Sequence, residues 1–216
     1  MSYTLAALFA GLISVDRFAA LNLMLSRPIV VAFILGFIFG YHQEFFYIGL
    51  VFEAVGLIDV PFGTRIPKED SFGAFAACTL FAVLPIEHSD EYVLGFLLSI
   101  LFIYPVTVTS SIVRSINKSL FLRQHAKGVV RPGSLLAMGV IVAFIRGVMV
   151  YGIGTLLVYA LYEFIHGHLP NKVNLVLFSV MIFTFLSGYI LRFLTVRSVI
   201  KYAVFLGGLL IGWVVL

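Results

Sequence analysis

The segment GLVFEAVGLIDVPFGTRIPKEDS, residues 49–71, decides how the rest of this 216-residue chain is interpreted. It begins as an apolar run with one carboxylate, Glu53, in its middle. It breaks at residues 59–63 and ends in a polar stretch, residues 64–70. Broken backbone and ionisable side chains are costly at membrane depth, because polar groups there have no water to bond. In a membrane-like chain, this segment therefore predicts a solute site where irregular backbone lines a cavity.

The composition of the whole chain is membrane-like. Hydrophobic residues make up 62% of it and charged residues 11%, whereas soluble domains carry about 25% charged residues. At about 20 residues per span, the length predicts an all-α integral membrane protein with a single membrane domain, residues 1–216. We expect a helical bundle of six to eight membrane segments with re-entrant hairpins. An inverted repeat is compatible with this fold, although no exact repeat is visible in the sequence.

Two neighbouring apolar runs, residues 29–40 and 45–58, are too short to cross a hydrocarbon core of roughly 30 Å as upright helices. They predict a re-entrant hairpin or discontinuous helices, and the alternative is two full spans that include flanking polar residues. The remaining apolar runs are residues 3–15, 72–86, 92–113, 134–162, 173–191 and 202–216. Residues 114–131 contain five Lys or Arg residues and no acid, which predicts a cytoplasmic loop by the positive-inside rule.

Glu53 shares one face of a predicted helix with Gly49 and Gly56. Two glycines beside a carboxylate let a ligand or another backbone approach closely. A carboxylate accepts hydrogen bonds from sugar hydroxyls well, so Glu53 is a candidate sugar-binding residue. The alternative is a packing role in which Glu53 pairs with a nearby Arg.

Two further polar features interrupt the apolar pattern. Residues 64–70 could line or gate a solute path, or they could form an ordinary solvated turn. Arg146 lies too far inside its apolar run to reach the interface easily. We therefore expect it to form a structural ion pair with an acid of another segment, with Asp16, Glu53 and Glu163 as candidates.

No motif of enzymatic chemistry is present. The chain lacks a phosphate-binding loop, a nucleophile elbow and a zinc-protease helix. His166 and His168 have no acid or Cys at a metal-ligand spacing. We expect no catalytic residue, no cofactor and no metal, and the positive charge indicates membrane topology before nucleic-acid binding.

Several residues in the first third of the chain resemble one known family, in order and spacing. They are Asp16, Asn22, Ser26-Arg27-Pro28, Gly36, Gly40, Gly49, Glu53 and the run from Pro61 to Ser71. Over about 55 residues this pattern resembles the enzyme IIC subunit of mannose/sorbose-type phosphotransferase-system permeases. Similarity is weaker beyond this part, at Arg114, Asn117, Arg146, Gly188-Tyr189 and residues 205–207.

The resemblance implies a multi-pass subunit of the bacterial inner membrane that binds a hexose-class sugar and presents it inward. Phosphorylation would be carried out by a cytoplasmic IIB protein supplied by IIA, beside a IID membrane subunit, in a trimer of IIC–IID pairs. The sugar-binding residues carried over onto this chain are Glu53, Gly63, Thr64, Asp70, Asp16 and Arg65.

The chain departs from the family pattern at Tyr41-His42, at Glu44-Phe45 and at Lys68-Glu69. Two other functions therefore stay open. One is the substrate-binding membrane subunit of an ATP-driven vitamin importer, which is similarly short and apolar. The other is a non-transporting regulatory scaffold that keeps only the docking surface.

Overall fold

The computed structural model describes residues 2–19, 23–58, 68–84, 89–126, 128 and 130–166. All of them belong to Met1–Asn171, the first of two units into which the chain divides. The predicted segments at residues 173–191 and 202–216 lie outside the described residues.

The described residues form six helices and no strand, which confirms the all-α prediction for this part of the chain. The helices are α1 (Ser2–Phe18), α2 (Pro28–Phe39), α3 (His42–Ile58), α4 (Asp70–Val83), α5 (Ser89–Ala126) and α6 (Pro132–His166). Helices α1 and α6 pack together, and α4 contacts α2, α3, α5 and α6.

Helices α2 and α3 form a tight helical hairpin. Pro28 occupies the first turn of α2, where its missing N–H costs nothing. Gly40 ends the helix in the left-handed region at φ 88° and donates its N–H to the Gly36 carbonyl. A Cβ atom on Gly49 would lie 2.9 Å from the Cα of Ile29, so the glycine allows the two backbones to approach. At 1.5 Å per residue, the helices are about 18 and 26 Å long.

Helices α5 and α6 have 38 and 35 residues and are long and apolar enough to cross a membrane. Only 33% and 28% of their most apolar windows are buried. The prediction of a loop at residues 114–131 is wrong for residues 114–126, because α5 continues to Ala126. Arg, Lys, Leu and Gln are good helix formers, and a cluster of charge indicates position relative to a membrane rather than secondary structure.

Helix α4 lies at the centre of the core. Its residues 71–78 are all buried, and small side chains at Ala74, Ala76 and Ala77 allow the surrounding helices to approach. Phe72 and Phe75 both make edge contacts with the ring of Tyr151, at centroid distances of 5.4 and 5.3 Å. This arrangement joins α4 to the middle of α6.

Large apolar side chains cover the outward faces of the long helices. Leu8 on α1 is 54% exposed, Leu101 on α5 is 59% exposed and Leu156 on α6 is 67% exposed. Many others are similarly exposed on the same helices. The described part of the chain thus has an apolar exterior as well as an apolar core.

Candidate functional site

The buried carboxylate of Glu69 is the centre of the polar contacts inside the bundle. Glu69 directly precedes α4 and has no exposed surface. Oε1 lies 2.9 Å from Nη2 of Arg146 and accepts a hydrogen bond of 2.9 Å from the Ser110 hydroxyl. Oε2 accepts a hydrogen bond of 3.2 Å from the Tyr151 hydroxyl. One carboxylate therefore ties the start of α4 to both α5 and α6.

Arg146 lies 7% exposed at the α5–α6 interface. Its Nη2 donates to the Thr109 hydroxyl at 2.7 Å and to the Val106 carbonyl at 3.2 Å, beside the contact with Glu69. Its guanidinium carbon lies 4.8 Å from the centroid of the Phe18 ring. A buried ion pair offsets its desolvation only with such additional hydrogen bonds. These contacts explain how a cation is held in the middle of an apolar helix.

Arg17 at the end of α1 is a second cation beside the same carboxylate. Its Nε lies 3.7 Å from Oε2 of Glu69. Its Nη1 donates to the Ser71 hydroxyl at 3.0 Å, and its Nη2 donates to the Lys68 carbonyl. Ser71 in turn donates to the Ser26 carbonyl at 2.6 Å. Arg17 and Ser71 therefore link α1, the turn before α2 and the start of α4.

Asp16 holds the turn that follows α1. Its Oδ1 accepts the backbone N–H of Leu23 at 2.6 Å, and its Oδ2 accepts that of Ser26 at 3.0 Å. Within this turn Met24 has φ 60°, a left-handed conformation that side chains rarely adopt. Asp16 is 3% exposed and uses both oxygens on backbone donors. Its geometry fits an anchor of the turn better than a direct contact with a solute.

Glu53 belongs to α3, and its carboxylate lies against the N-terminal end of α2. Oε1 is 3.1 Å from Nη1 of Arg27, and Oε2 accepts the backbone N–H of Ile29 at 3.4 Å. The side chains of Glu53 and Arg27 are 19% and 51% exposed. A carboxylate beside free N–H groups at a helix N-terminus is favoured by the helix dipole. The pair matches the alternative that Glu53 bonds a nearby Arg, and both carboxylate oxygens retain acceptor capacity.

Asp70 approaches the same helix face as Glu53. A Cβ atom on Gly56 would lie 2.9 Å from Oδ2 of Asp70, so a larger residue there would require the Asp70 carboxylate to shift. Gly56 follows Glu53 by three residues on α3, less than one turn. The structure therefore brings Asp70 to the stretch of α3 that carries Glu53.

The predicted partners of Arg146 are wrong. The acid that pairs with Arg146 is Glu69. Asp16 instead accepts hydrogen bonds from the backbone of the turn after α1, and Glu53 forms an ion pair with Arg27. Glu163 is exposed. The sequence places Arg146 in an apolar run but contains no information about which helix packs against it. An ion pair was expected there, and only its partner differs.

Three predicted site residues, Gly63, Thr64 and Arg65, lie outside the described residues. Several polar residues that the sequence analysis did not name as individual site residues belong to the buried cluster. They include Arg17, Glu69, Ser110 and Tyr151. The only signal for Glu69 was its neighbour Asp70 within the motif, and nothing in the sequence distinguishes Tyr151 from the other aromatic residues.

The side chains of this region are hydrogen-bonding groups. Carboxylates can accept hydrogen bonds from hydroxyls, and guanidinium groups can donate to them. Within the described ranges, no group of three or more His, Cys, Asp or Glu residues is placed to hold a metal ion.

No protein-family model matches this chain, and no characterised protein matches it in sequence.

Proposed function

We propose that this chain is a multi-pass protein of the bacterial inner membrane. Two helices are long and apolar enough to span, and most of their apolar windows are not buried within the protein. The core helix of a soluble protein would be mostly buried. Embedding in lipid also accounts for the apolar outward faces of α1, α5 and α6, since large apolar patches are rare on soluble monomers.

Within this placement the α2–α3 hairpin is a re-entrant element. Its first helix has 12 residues, about 18 Å, which is short of a hydrocarbon core of roughly 30 Å. Six to eight membrane segments in all are compatible with the length of the chain. Irregular backbone at membrane depth is tolerated where it is surrounded by protein or lines a cavity. The resemblance assigns Gly63, Thr64 and Arg65, between α3 and α4, to the sugar site.

The function we propose is that of the IIC sugar-translocating subunit of a phosphoenolpyruvate-dependent phosphotransferase system. It would bind a hexose-class sugar and present it inward for phosphorylation by a IIB protein supplied by IIA. A IID membrane subunit would complete the translocation unit, in a trimer of IIC–IID pairs.

One observation carries this proposal: residues that resemble the family in sequence are neighbours in the fold. Asp16 bonds the backbone of Ser26, and Ser26 accepts from Ser71. The next residue after Ser26, Arg27, pairs with Glu53. Residues that are about 10 to 50 positions apart in the sequence therefore contact one another around the turn before α2. Convergence of polar groups from several segments is typical of a binding site.

The contacts divide the proposed site into two roles. Glu53 and Asp70 supply carboxylate oxygens for sugar hydroxyls, at the partly exposed end of α3. Asp16 holds the turn, and the Glu69 cluster fixes the start of α4 through Arg17 and the Lys68 carbonyl. Asp16 and the Glu69 cluster would thus position Glu53 and Asp70 without contacting the sugar themselves.

Replacing Glu53 with glutamine is expected to weaken hexose binding about 10- to 100-fold. A hydrogen bond to a charged group contributes about 1.5–3 kcal/mol, and 1.4 kcal/mol corresponds to a factor of ten. The measurement is uptake of radiolabelled hexose in cells that lack their own mannose-type permease and express this chain with IIA, IIB and IID proteins.

The matched control is Glu44→Gln, which makes the same chemical change on the same helix. Glu44 is exposed in the first turn of α3, so uptake should stay at the level of the unchanged protein. Equal uptake by the Glu53 and Glu44 variants would remove Glu53 from the site. Absence of uptake for every hexose, despite membrane insertion and association with IID, would contradict the proposed function.

A further inference from the structure

A second polar feature lies at the far end of the two long helices. We call residues 111–131 the basic tip, which comprises the last four turns of α5 and the turn before α6. It contains five Lys or Arg residues and no Asp or Glu. Arg114, Lys118, Arg123 and Arg131 are all exposed. Such a concentration of one charge sign attracts counterions or a partner of opposite charge.

We infer that the basic tip binds the headgroups of anionic phospholipids at the cytoplasmic surface of the membrane. Clusters of four to eight Lys or Arg residues next to a membrane span are typical of such binding. The inference depends on the membrane placement proposed above and is independent of sugar transport.

The arrangement along α5 fits a membrane interface. Arg114 and Lys118 are four residues apart, so they share one helix face about 6 Å apart along the axis. Apolar side chains alternate with the cations: Ile112 is 55% exposed, Ile116 is 40% exposed and Leu122 is 52% exposed. Cationic groups can reach headgroups while their stems and apolar neighbours stay against hydrocarbon.

This alternation favours lipid over an acidic protein as the partner. An acidic protein could also neutralise the cations, whereas lipid is already adjacent to this helix in the membrane placement proposed above. A membrane surface offers anionic headgroups and hydrocarbon within a few ångströms of each other. Lipid therefore accommodates both kinds of side chain on this part of α5.

The length of α5 carries its C-terminal end beyond the hydrocarbon core. The helix has 38 residues, about 57 Å, whereas a bilayer with its headgroups is about 40–45 Å thick. The apolar run predicted as a span ends at Val113. Arg114 is therefore the first residue beyond the hydrocarbon core, and the remaining cations follow it outward.

Hydrogen bonds fix the turn at the end of the tip. Gln124 donates from Nε2 to the Ser134 hydroxyl at 2.9 Å, and its Oε1 accepts the N–H of Arg131 at 3.0 Å. Ser134 also donates to the Arg131 carbonyl at 3.0 Å. The cations on the two sides of the turn are therefore presented together rather than on a free strand.

The test is binding of phosphatidylglycerol and of phosphatidylcholine to the purified full-length protein in neutral detergent, measured by native mass spectrometry. We expect a preference for phosphatidylglycerol that falls roughly 100-fold in the variant Arg114→Gln/Lys118→Gln/Arg123→Gln. Because the interaction is electrostatic, the preference should also fall at high ionic strength. The charge-preserving variant Arg114→Lys/Arg123→Lys should retain it.

The same preference for phosphatidylglycerol in the triple glutamine variant would overturn the inference. So would equal binding of both lipids by the unchanged protein, or capture of an acidic partner protein without any lipid preference. The three positions are exposed and glutamine is a good helix former, so the variant should fold. If it does not, a preference in the unchanged protein that is insensitive to salt would overturn the inference by itself.

Discussion

Replacing Glu69 with alanine is expected to lower the free energy of unfolding by about 3–5 kcal/mol, since the change leaves buried cations without their anion. Arg146 is 7% exposed and Arg17 is 14% exposed, so water cannot replace the carboxylate at Arg146. The Tyr151 and Ser110 hydroxyls also lose their acceptor. Unfolding can be followed by reaction of a thiol dye with Cys78 during an SDS titration. Cys78 is the only cysteine and is fully buried in the folded protein.

Two further variants separate the ion pair from a general effect of substitution. Glu44→Ala removes an exposed acid and should change stability by less than about 0.5 kcal/mol. The double variant Glu69→Leu/Arg146→Leu should be more stable than the sum of the two single changes predicts, because it removes both charges of the pair. Additive losses in the double variant would mean that Glu69 and Arg146 are not coupled.

Replacing Gly147 with alanine is expected to destabilise the protein by about 1–3 kcal/mol through overpacking. A Cβ atom there would lie 2.5 Å from the Ala10 carbonyl oxygen and 2.9 Å from the Cα of Gly11. Both are backbone atoms of α1, so the two helices would have to move apart. The same Cys78 labelling measures the effect.

At Gly152, on the same helix, we expect substitution by alanine not to destabilise the protein. A Cβ atom at Gly152 meets no atom within 4 Å, and alanine is a better helix former than glycine by about 1 kcal/mol. Gly152→Ala should therefore leave stability unchanged or raise it. If Gly147→Ala and Gly152→Ala shift stability in the same direction, the close contact of α1 and α6 is not what requires the glycine.

Parts of this fold could be predicted because Pro and Gly mark the ends of elements. The apolar run at residues 29–40 corresponds to α2, which begins at Pro28 and is followed by Gly40. The run at residues 134–162 corresponds to α6. The end of α5 could not be predicted in this way, since charge replaces apolar residues there without any helix-breaking residue before Gly128.

The candidate site was predictable to a smaller extent. Asp16, Glu53 and Asp70 stand out because carboxylates are rare in an apolar chain, and all three lie near the turn before α2. The partner of Arg146 depends on the packing of α4 against α5 and α6, which periodicity cannot predict. Glu69 was therefore considered only as a member of a polar loop, although its side chain pairs with Arg146 and accepts hydrogen bonds from Ser110 and Tyr151.

The central claim is that Glu53 and the segment between α3 and α4 contact one bound sugar. The most direct measurement is the rate at which a cysteine introduced by Ile66→Cys, in a Cys78→Ala background, reacts with a membrane-impermeant thiol reagent over a range of hexose concentrations. We predict that one hexose of a panel slows this reaction and that Glu53→Gln raises the hexose concentration needed for half-protection about 10- to 100-fold. A reaction rate that no hexose changes, or an unchanged half-protecting concentration in the Glu53 variant, would contradict the account.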